Sequence, residues 1–238
     1  MIFVPECHST NDLALQLSQT PNWMDGTLFI TDNQTAGRGQ RGNIWLTEPG
    51  KNLTFSFLLK PRLPVIEQFY LTLFVSLGIR DYVTSRVTQK VQIKWPNDVI
   101  VDNKKLGGIL IENQLAGNSI ESCVIGIGLN INQREFSLPT ATSISCLSDQ
   151  SFILDNELDL LLASLERRYF QLKERKLEQL RNDYLSALFR MNELHDYELR
   201  TKRFKGKIMG VDELGRLQVE IDNAIKVFDN KEIQYVIS

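Results

Sequence analysis

Ile125-Gly126-Ile127-Gly128-Leu129-Asn130-Ile131-Asn132 is the stretch on which the arrangement of this chain turns, because it alternates strictly between two kinds of residue. Successive side chains of a strand point to opposite faces, so Ile125, Ile127, Leu129 and Ile131 share one face while Gly126, Gly128, Asn130 and Asn132 share the other. One face fills a core. The other is bare backbone followed by amides, a surface on which a flat small molecule can lie and meet polar groups at its end. Glycines that make room for a packed helix are the competing reading.

The neighbouring segments supply the rest of a mixed α and β unit. Strand patterns occur at 27–31, 53–59, 91–95, 98–101 and 107–113, leading into 120–132, and Leu53, Phe55, Phe57 and Leu59 alternate toward one buried face. Residues 11–18 read as a helix with Ser9, Thr10 or Asn11 as cap, and 66–86 is apolar almost all round, as suits a helix packed deep against a sheet. Between 155 and 191, leucines and tyrosines recur at helical spacing with a break near Arg175, which predicts two outer helices. Beyond Asn192, short alternating runs at 197–201, 206–211, 216–221, 225–228 and 233–236, with a turn at Asp212 to Gly215, predict a compact five-stranded β-barrel. The fold class is therefore α+β, without the regular alternation of a doubly wound sheet, and the domains are expected at 1–191 and 192–238.

Composition narrows the function. The chain has 238 residues, 42% of them hydrophobic, and a formal net charge of −2. It can bury a sizeable core, and it lacks the basic excess that broad nucleic-acid or membrane-surface binding needs. Cys7, Cys123 and Cys146 are scattered, which suggests neither a disulfide framework nor a zinc site and points to a reducing cytoplasm. Residues 1–8 do not read as a signal peptide, and the apolar run 69–79 is too short to span a bilayer.

Gly37-Arg38-Gly39-Gln40-Arg41-Gly42 follows the first of these strands and joins three glycines to two fixed positive charges. Such a loop lets backbone N–H groups converge on an anion while guanidinium forks add bidentate contacts, although an ordinary surface turn is the plain alternative. The Walker A spacing is absent. Lys94-Trp95-Pro96-Asn97-Asp98 sets a cation, an amide and a carboxylate where Pro96 interrupts a strand ladder; a solvated ion pair at a turn reads equally well. Lys104-Lys105-Leu106-Gly107-Gly108 places lysines and a diglycine at a strand entrance, either for close ligand approach or as a hairpin tip. Trp45 stacks on a purine or anchors its loop in the core, and Ser9-Thr10-Asn11 offers hydroxyls and an amide beyond what capping needs. His8 and His195 are isolated, and no catalytic triad is assembled by spacing.

In their order and approximate separations, Ser9-Thr10-Asn11, Gly37 to Gly42 with Trp45, Lys94 to Asp98, and Lys105 to Glu112 followed by Gly126 to Asn130 resemble the catalytic domain of the biotin protein ligases, the biotin–[acetyl-CoA-carboxylase] ligases. The similarity covers essentially the whole chain. It implies the biotin/lipoate ligase-like fold, a mixed β-sheet flanked by helices with a small C-terminal SH3-like barrel, although the arginine-pair and triple-glycine loop of lipoate ligases is not seen. It also implies a two-step reaction: biotin and ATP give biotinyl-5′-AMP and pyrophosphate, then a lysine of a biotin carboxyl carrier domain attacks the mixed anhydride.

By the same resemblance Lys105 and Arg38 are the catalytic candidates, flanking the junction of biotin carboxylate and α-phosphate. Ser9, Thr10, Asn11 and Gln34 belong to the biotin site together with Gly37, Gly39 and Gln40, while Gly108, Gly126 and Gly128 leave space for the bicycle. Arg41, Trp45, Asn97 and Asn130 join the nucleotide side, and Lys94 and Asp98 complete the network around the phosphates and the Mg²⁺ that accompanies ATP, with no metal held by a side-chain cluster. Gln40 stands where the family commonly has arginine, and no clear basic counterpart follows Lys231. Only eight residues precede Ser9, so a monofunctional ligase without a DNA-binding repressor domain is expected. The implied partner is a carrier domain; an exposed sheet edge allows a homodimer, and neither nucleic acid nor membrane is expected. Two other readings remain: a biotin-binding protein that has lost efficient catalysis, motivated by Gln40, and a lipoyl or octanoyl transfer enzyme of the same fold.

Overall fold

The computed structural model describes residues 1–230 and 232–236; residues 231, 237 and 238 and the side chain of Arg41 lie outside the described residues. The expectations placed on the Arg41 side chain and on the chain around Lys231 therefore fall outside them too.

The larger sheet has eight strands: β1 (Ile2–Cys7), β2 (Leu28–Gln34), β3 (Leu53–Leu59), β4 (Leu63–Pro64), β5 (Val91–Lys94), β6 (Asp98–Val101), β7 (Lys104–Ala116) and β8 (Ser119–Leu129). Their order is β1-β2-β3-β8-β7-β6-β5, with β4 on β8. Only β1 runs parallel to its neighbour, so the sheet is mixed. β1 was not among the expected strands, because IFVPEC holds a proline and its residues are mostly exposed at the sheet edge.

Helix α1 (Thr10–Ser18) covers one face, and α2 (Phe69–Thr84) covers the other beneath α4 (Leu154–Lys173) and α5 (Leu177–Ala187); a short α3 (Ile144–Ser148) was not foreseen. The break between α4 and α5 falls at Arg175, which takes a left-handed φ of 59°, but residues 188–191 leave the helix and lead into the next sheet. Where α4 crosses α2, a Cβ on Gly78 would stand 2.8 Å from a Leu165 methyl, so glycine sets how closely the two helices approach. No helix is long and apolar enough to cross a membrane among the described residues.

In β3 Leu53, Phe55, Phe57 and Leu59 join the core under α2 as expected, and the intervening residues are buried as well, Leu58 packing with Ala14 of α1. One local expectation is corrected. The turn before β7 is made by Asp102 and Asn103, with φ of 49° and 62°, rather than by the diglycine; short polar side chains tolerate this left-handed geometry in a tight hairpin.

The C-terminal strands β9 (Leu194–Leu199), β10 (Lys202–Val211), β11 (Leu217–Ile221), β12 (Ala224–Phe228) and β13 (Ile233–Tyr235) form an antiparallel sheet in the order β12-β11-β10-β9-β13. Five short curved strands are what an SH3-like unit requires; among the described residues no ladder joins β12 to β13 to close a barrel. Trp95 Nε1 donates to the Gly215 carbonyl at 2.7 Å across the two sheets, and the connector between α5 and β9 touches both, Phe189 N donating to Ile93 O at 2.8 Å and Asn192 N to Ile208 O at 2.9 Å. Gly215 lies so close to Phe69 of α2 that a Cβ would sit 2.2 Å from the ring.

Candidate active site

A cavity of about 620 Å³ opens at one end of the large sheet, between the glycine-rich loop and the C-terminal sheet. Of the expected biotin-side residues, Ser9, Thr10, Asn11, Gln34, Arg38, Gly39, Gln40, Gly108, Gly126 and Gly128 line it. Trp45, Lys94, Asn97, Asp98 and Lys105 complete the set from the nucleotide side. Gly37 and Asn130 do not reach the wall. Gly37 packs instead: a Cβ there would meet the Trp45 carbonyl oxygen at 2.4 Å. Asn130 is 4% exposed and its Nδ2 donates to the Thr142 carbonyl at 2.9 Å, while its Oδ1 is buried without a partner among the described residues.

The polar groups expected on the biotin side form one hydrogen-bonded chain. Ser9 has the N-cap position of α1, yet its side chain makes no capping bond, so capping does not consume the Ser-Thr-Asn triplet. Gln34 Oε1 accepts from Thr10 N at 2.8 Å, with the Thr10 hydroxyl oxygen 3.2 Å away. The Thr10 hydroxyl pairs with Ser56 Oγ at 2.7 Å, and Ser56 Oγ donates to Asn11 Oδ1 at 2.6 Å. Asn11 Nδ2 then donates to Glu112 Oε2 at 2.7 Å. Such buried groups are costly to leave unpaired, and their mutual satisfaction fixes each rotamer.

The bare face of β8 is not open in this structure. A Cβ on Gly126 would lie 2.0 Å from Asn11 Oδ1, and one on Gly128 would lie 2.3 Å from the Trp45 indole. The space expected there for a bicycle is thus held by the Asn11 amide and the Trp45 ring. Trp45 packs against the glycine face of β8, partly buried and outside the core, with Lys105 Nζ at 5.6 Å from its ring centroid. Its indole Nε1 is buried without a partner among the described residues.

Three cationic side chains converge on the cavity, and carboxylates pair with two of them, Arg38 and Lys105. Arg38 forms a fork with Glu112, Nη1 to Oε1 at 3.1 Å and Nη2 to Oε2 at 2.8 Å, and Nη2 also lies 2.8 Å from Asp12. Lys105 Nζ stands 2.7 Å from Asp98 Oδ1. Burial pushes the Lys94 ammonium below the ordinary lysine range, an effect that Asp98 opposes and Lys105 and Arg190 reinforce, and its Nζ rests 5.2 Å from the Tyr235 ring centroid.

Lys105 reaches the cavity through an irregularity of β7. Asp98 pairs with Gly108 and Val99 with Gly107, but Ile100 pairs with Lys105, so Leu106 is an extra residue in the ladder. Strand parity would otherwise turn Lys105 to the side of Gly107 and Ile109; the bulge returns it to the face of Gly108 and Asp98. Asn97 Nδ2 donates to the Ile109 carbonyl at 2.6 Å and braces the adjoining hairpin.

Asp12, Ser56 and Glu112 were given no role by sequence, nor were Asn230, Gln234 and Tyr235. The polar Thr54 and Ser56, alternating inside the apolar LTFSFLL, were the available signal for a second, functional face of β3. The C-terminal residues come from more than a hundred positions away and left no local trace. Asn230 Nδ2 donates to Gln40 Oε1 at 2.5 Å, tying the loop to the C-terminal sheet. His8 and His195 pair with Thr35 and Glu193, outside the cavity wall.

A cavity that gathers opposed charges beside a glycine-bare sheet defines a site for an anionic small molecule with a flat apolar part. Residues 4–130 match the Biotin/lipoate A/B protein ligase family, and the chain belongs to that family. The bifunctional ligase/repressor BirA of Bacillus subtilis is 28% identical over 98% of this chain and 73% of its own length. The biotin–[acetyl-CoA-carboxylase] ligase of Paracoccus denitrificans is 29% identical over 88% of this chain and 89% of its own. Among solved structures, the biotin protein ligase from Aquifex aeolicus in complex with biotin and ATP superposes with a TM-score of 0.80 at 27% identity, covering 100% of this chain and 98% of that one.

Proposed function

We propose that this protein is a biotin protein ligase that activates biotin with ATP and transfers it to a lysine of a biotin carboxyl carrier domain. A carboxylate oxygen of biotin attacks the α-phosphorus of ATP and expels pyrophosphate. The carrier lysine, as a free amine, then attacks the carbonyl of biotinyl-5′-AMP, releasing AMP and a proton. The observation that carries this reading is the meeting of Arg38, Lys94 and Lys105 in one cavity beside the glycine face of β8, in a chain similar along its whole length to a ligase solved with biotin and ATP.

Two acids repel each other, so positive groups at their junction lower the barrier as charge moves onto the phosphate and leaving group. Lys105 and Arg38 are proposed for that junction, with Lys94 toward the leaving pyrophosphate. Asp98 pairs with Lys105, and Glu112 and Asp12 pair with Arg38, which leaves the Arg38 Nε–H and the second Nη1–H for the ligand anion. Thr10, Asn11 and Gln34 recognise the ring, Trp45 and Asn97 the nucleotide side. No covalent enzyme intermediate is required; positioning and charge suffice. Mg²⁺ enters as part of the Mg-ATP substrate. Asp98 is the carboxylate on the cavity wall that would face it.

The reading includes a division at 191/192, with the second unit closing the cavity through Tyr235 and Asn230, and activity in the reducing, ATP-containing cytoplasm. Incubation with biotin, Mg-ATP and a carrier domain should label a single carrier lysine. No label, under conditions where an established ligase works, would remove the proposal.

A further inference from the structure

We infer that Glu112 is a positioning residue that holds Arg38 in register with the ring-side hydrogen-bond chain, so that recognition of a ligand's ring and of its carboxylate depend on one another. The inference rests on the biotin-activating reading and assigns a role to a residue that reading leaves idle.

Glu112 lies on β7 opposite Val124 of β8, on the strand face that carries Gly108. Its two oxygens receive side chains from distant parts of the chain: the Arg38 fork from the glycine-rich loop and the Asn11 amide from α1. The fork fixes the plane of the guanidinium, which a single contact would leave free to rotate. Its Nη2 also meets Asp12, so the Nε–H and the second Nη1–H are the donors left for an anion.

The same carboxylate ends the chain from Gln34 through Thr10, Ser56 and Asn11, whose members other than Gln34 are at most 4% exposed. A displacement of Asn11 by a ring therefore reaches Glu112 directly, and Glu112 passes it to Arg38. Stability is not the purpose of the pair. The Arg38 and Glu112 side chains are 38% and 28% exposed, where an ion pair contributes little to folding. Asp12, at 44% exposure, has no link to the buried chain and so keeps Arg38 charged-paired without aligning it.

The test is a cycle of wild type, Arg38→Ala, Glu112→Ala and the double variant, with Glu112→Gln added as a conservative change that keeps a carbonyl for Asn11. Biotin affinity is read by calorimetry beside that of the alcohol analogue, which keeps the ring and lacks the carboxylate. Glu112→Ala should weaken biotin roughly tenfold or more, the scale of losing a charge-assisted hydrogen bond, and weaken the alcohol less. Glu112→Gln should fall between, and the double variant should bind no worse than Arg38→Ala. Wild-type affinity in Glu112→Ala, or losses that add in full, would overturn the inference. Pyrophosphate release by the wild type tests the ligase reading separately. The affinity cycle needs no turnover, so it decides the inference whether or not that release is seen.

Discussion

The strands β3, β8 and β7 present two faces to two different worlds. Toward α2 they carry Phe55, Ile125, Ile109 and their neighbours, all in one apolar core. Toward the cavity the intervening positions carry Thr54, Ser56, Gly126, Gly128 and Gly108, with Glu112 beyond them. The backbone is shared, yet the demands differ. On the core side a residue must be apolar and of fitting volume; on the cavity side its atoms must leave room or make a named bond.

The largest separation between the faces should come from paired substitutions. Ile125 is fully buried, so Ile125→Ala should cost about 2–5 kcal/mol in urea unfolding, while the folded fraction keeps its turnover. Lys105→Ala should do the reverse. Its ion pair with Asp98 is 41% exposed on the lysine side, so stability should change by no more than ~1 kcal/mol. Pyrophosphate release should fall roughly 10²-fold or more, the effect of removing a charge contact made in the transition state. If the two variants lose stability and activity in similar proportion, the division between faces is wrong.

Much of this division was legible beforehand. Period-two alternation assigns the faces correctly over 125–129, but the strand ends at Leu129, and Asn130 and Asn132 bond to the Thr142 and Phe152 carbonyls instead of continuing the glycine face; the leucine spacing of 155–191 gives α4 and α5 because helical periodicity extends over many turns. Parity failed at Lys105, whose placement depends on the Leu106 bulge, a property of pairing with β6 and not of β7 alone. Bare glycines were read as open space, whereas Asn11 and Trp45 fill it; what fills a gap is decided by residues distant in sequence. The partners of Arg38 were missed for that reason as well. A charged loop advertises the charge it offers but not the carboxylates, Glu112 and Asp12, that receive it.

Gly126→Ala sharpens the comparison at a smaller scale. The added methyl would require Asn11 Oδ1 to move from 2.0 Å, breaking the Ser56 bond and loosening the one to Glu112. Biotin affinity should fall about tenfold, in keeping with the loss of a buried hydrogen bond or two. The core behind Gly126 is untouched, so calorimetric binding should suffer more than the unfolding midpoint. A variant with unchanged affinity would mean that Asn11 does not set the ring-side wall.

Lys94 gives the smallest expected effect and ties the cavity face to pH. Burial disfavours its ammonium form, so in the ligand-free protein the proton leaves at a lower pH than from an ordinary lysine. Between that pH and the ordinary lysine range the unfolded chain holds a proton that the folded chain has released, and stability should therefore rise slightly with pH there. Activity should move the other way, because the proposed role of Lys94 needs its charge. The alkaline limb of kcat/KM for ATP should begin below the ordinary lysine range, and Lys94→Arg, which stays protonated, should shift that limb upward while leaving the acid side unchanged. A limb that stays in place in Lys94→Arg would assign it to another group and detach Lys94 from the phosphate side of the cavity.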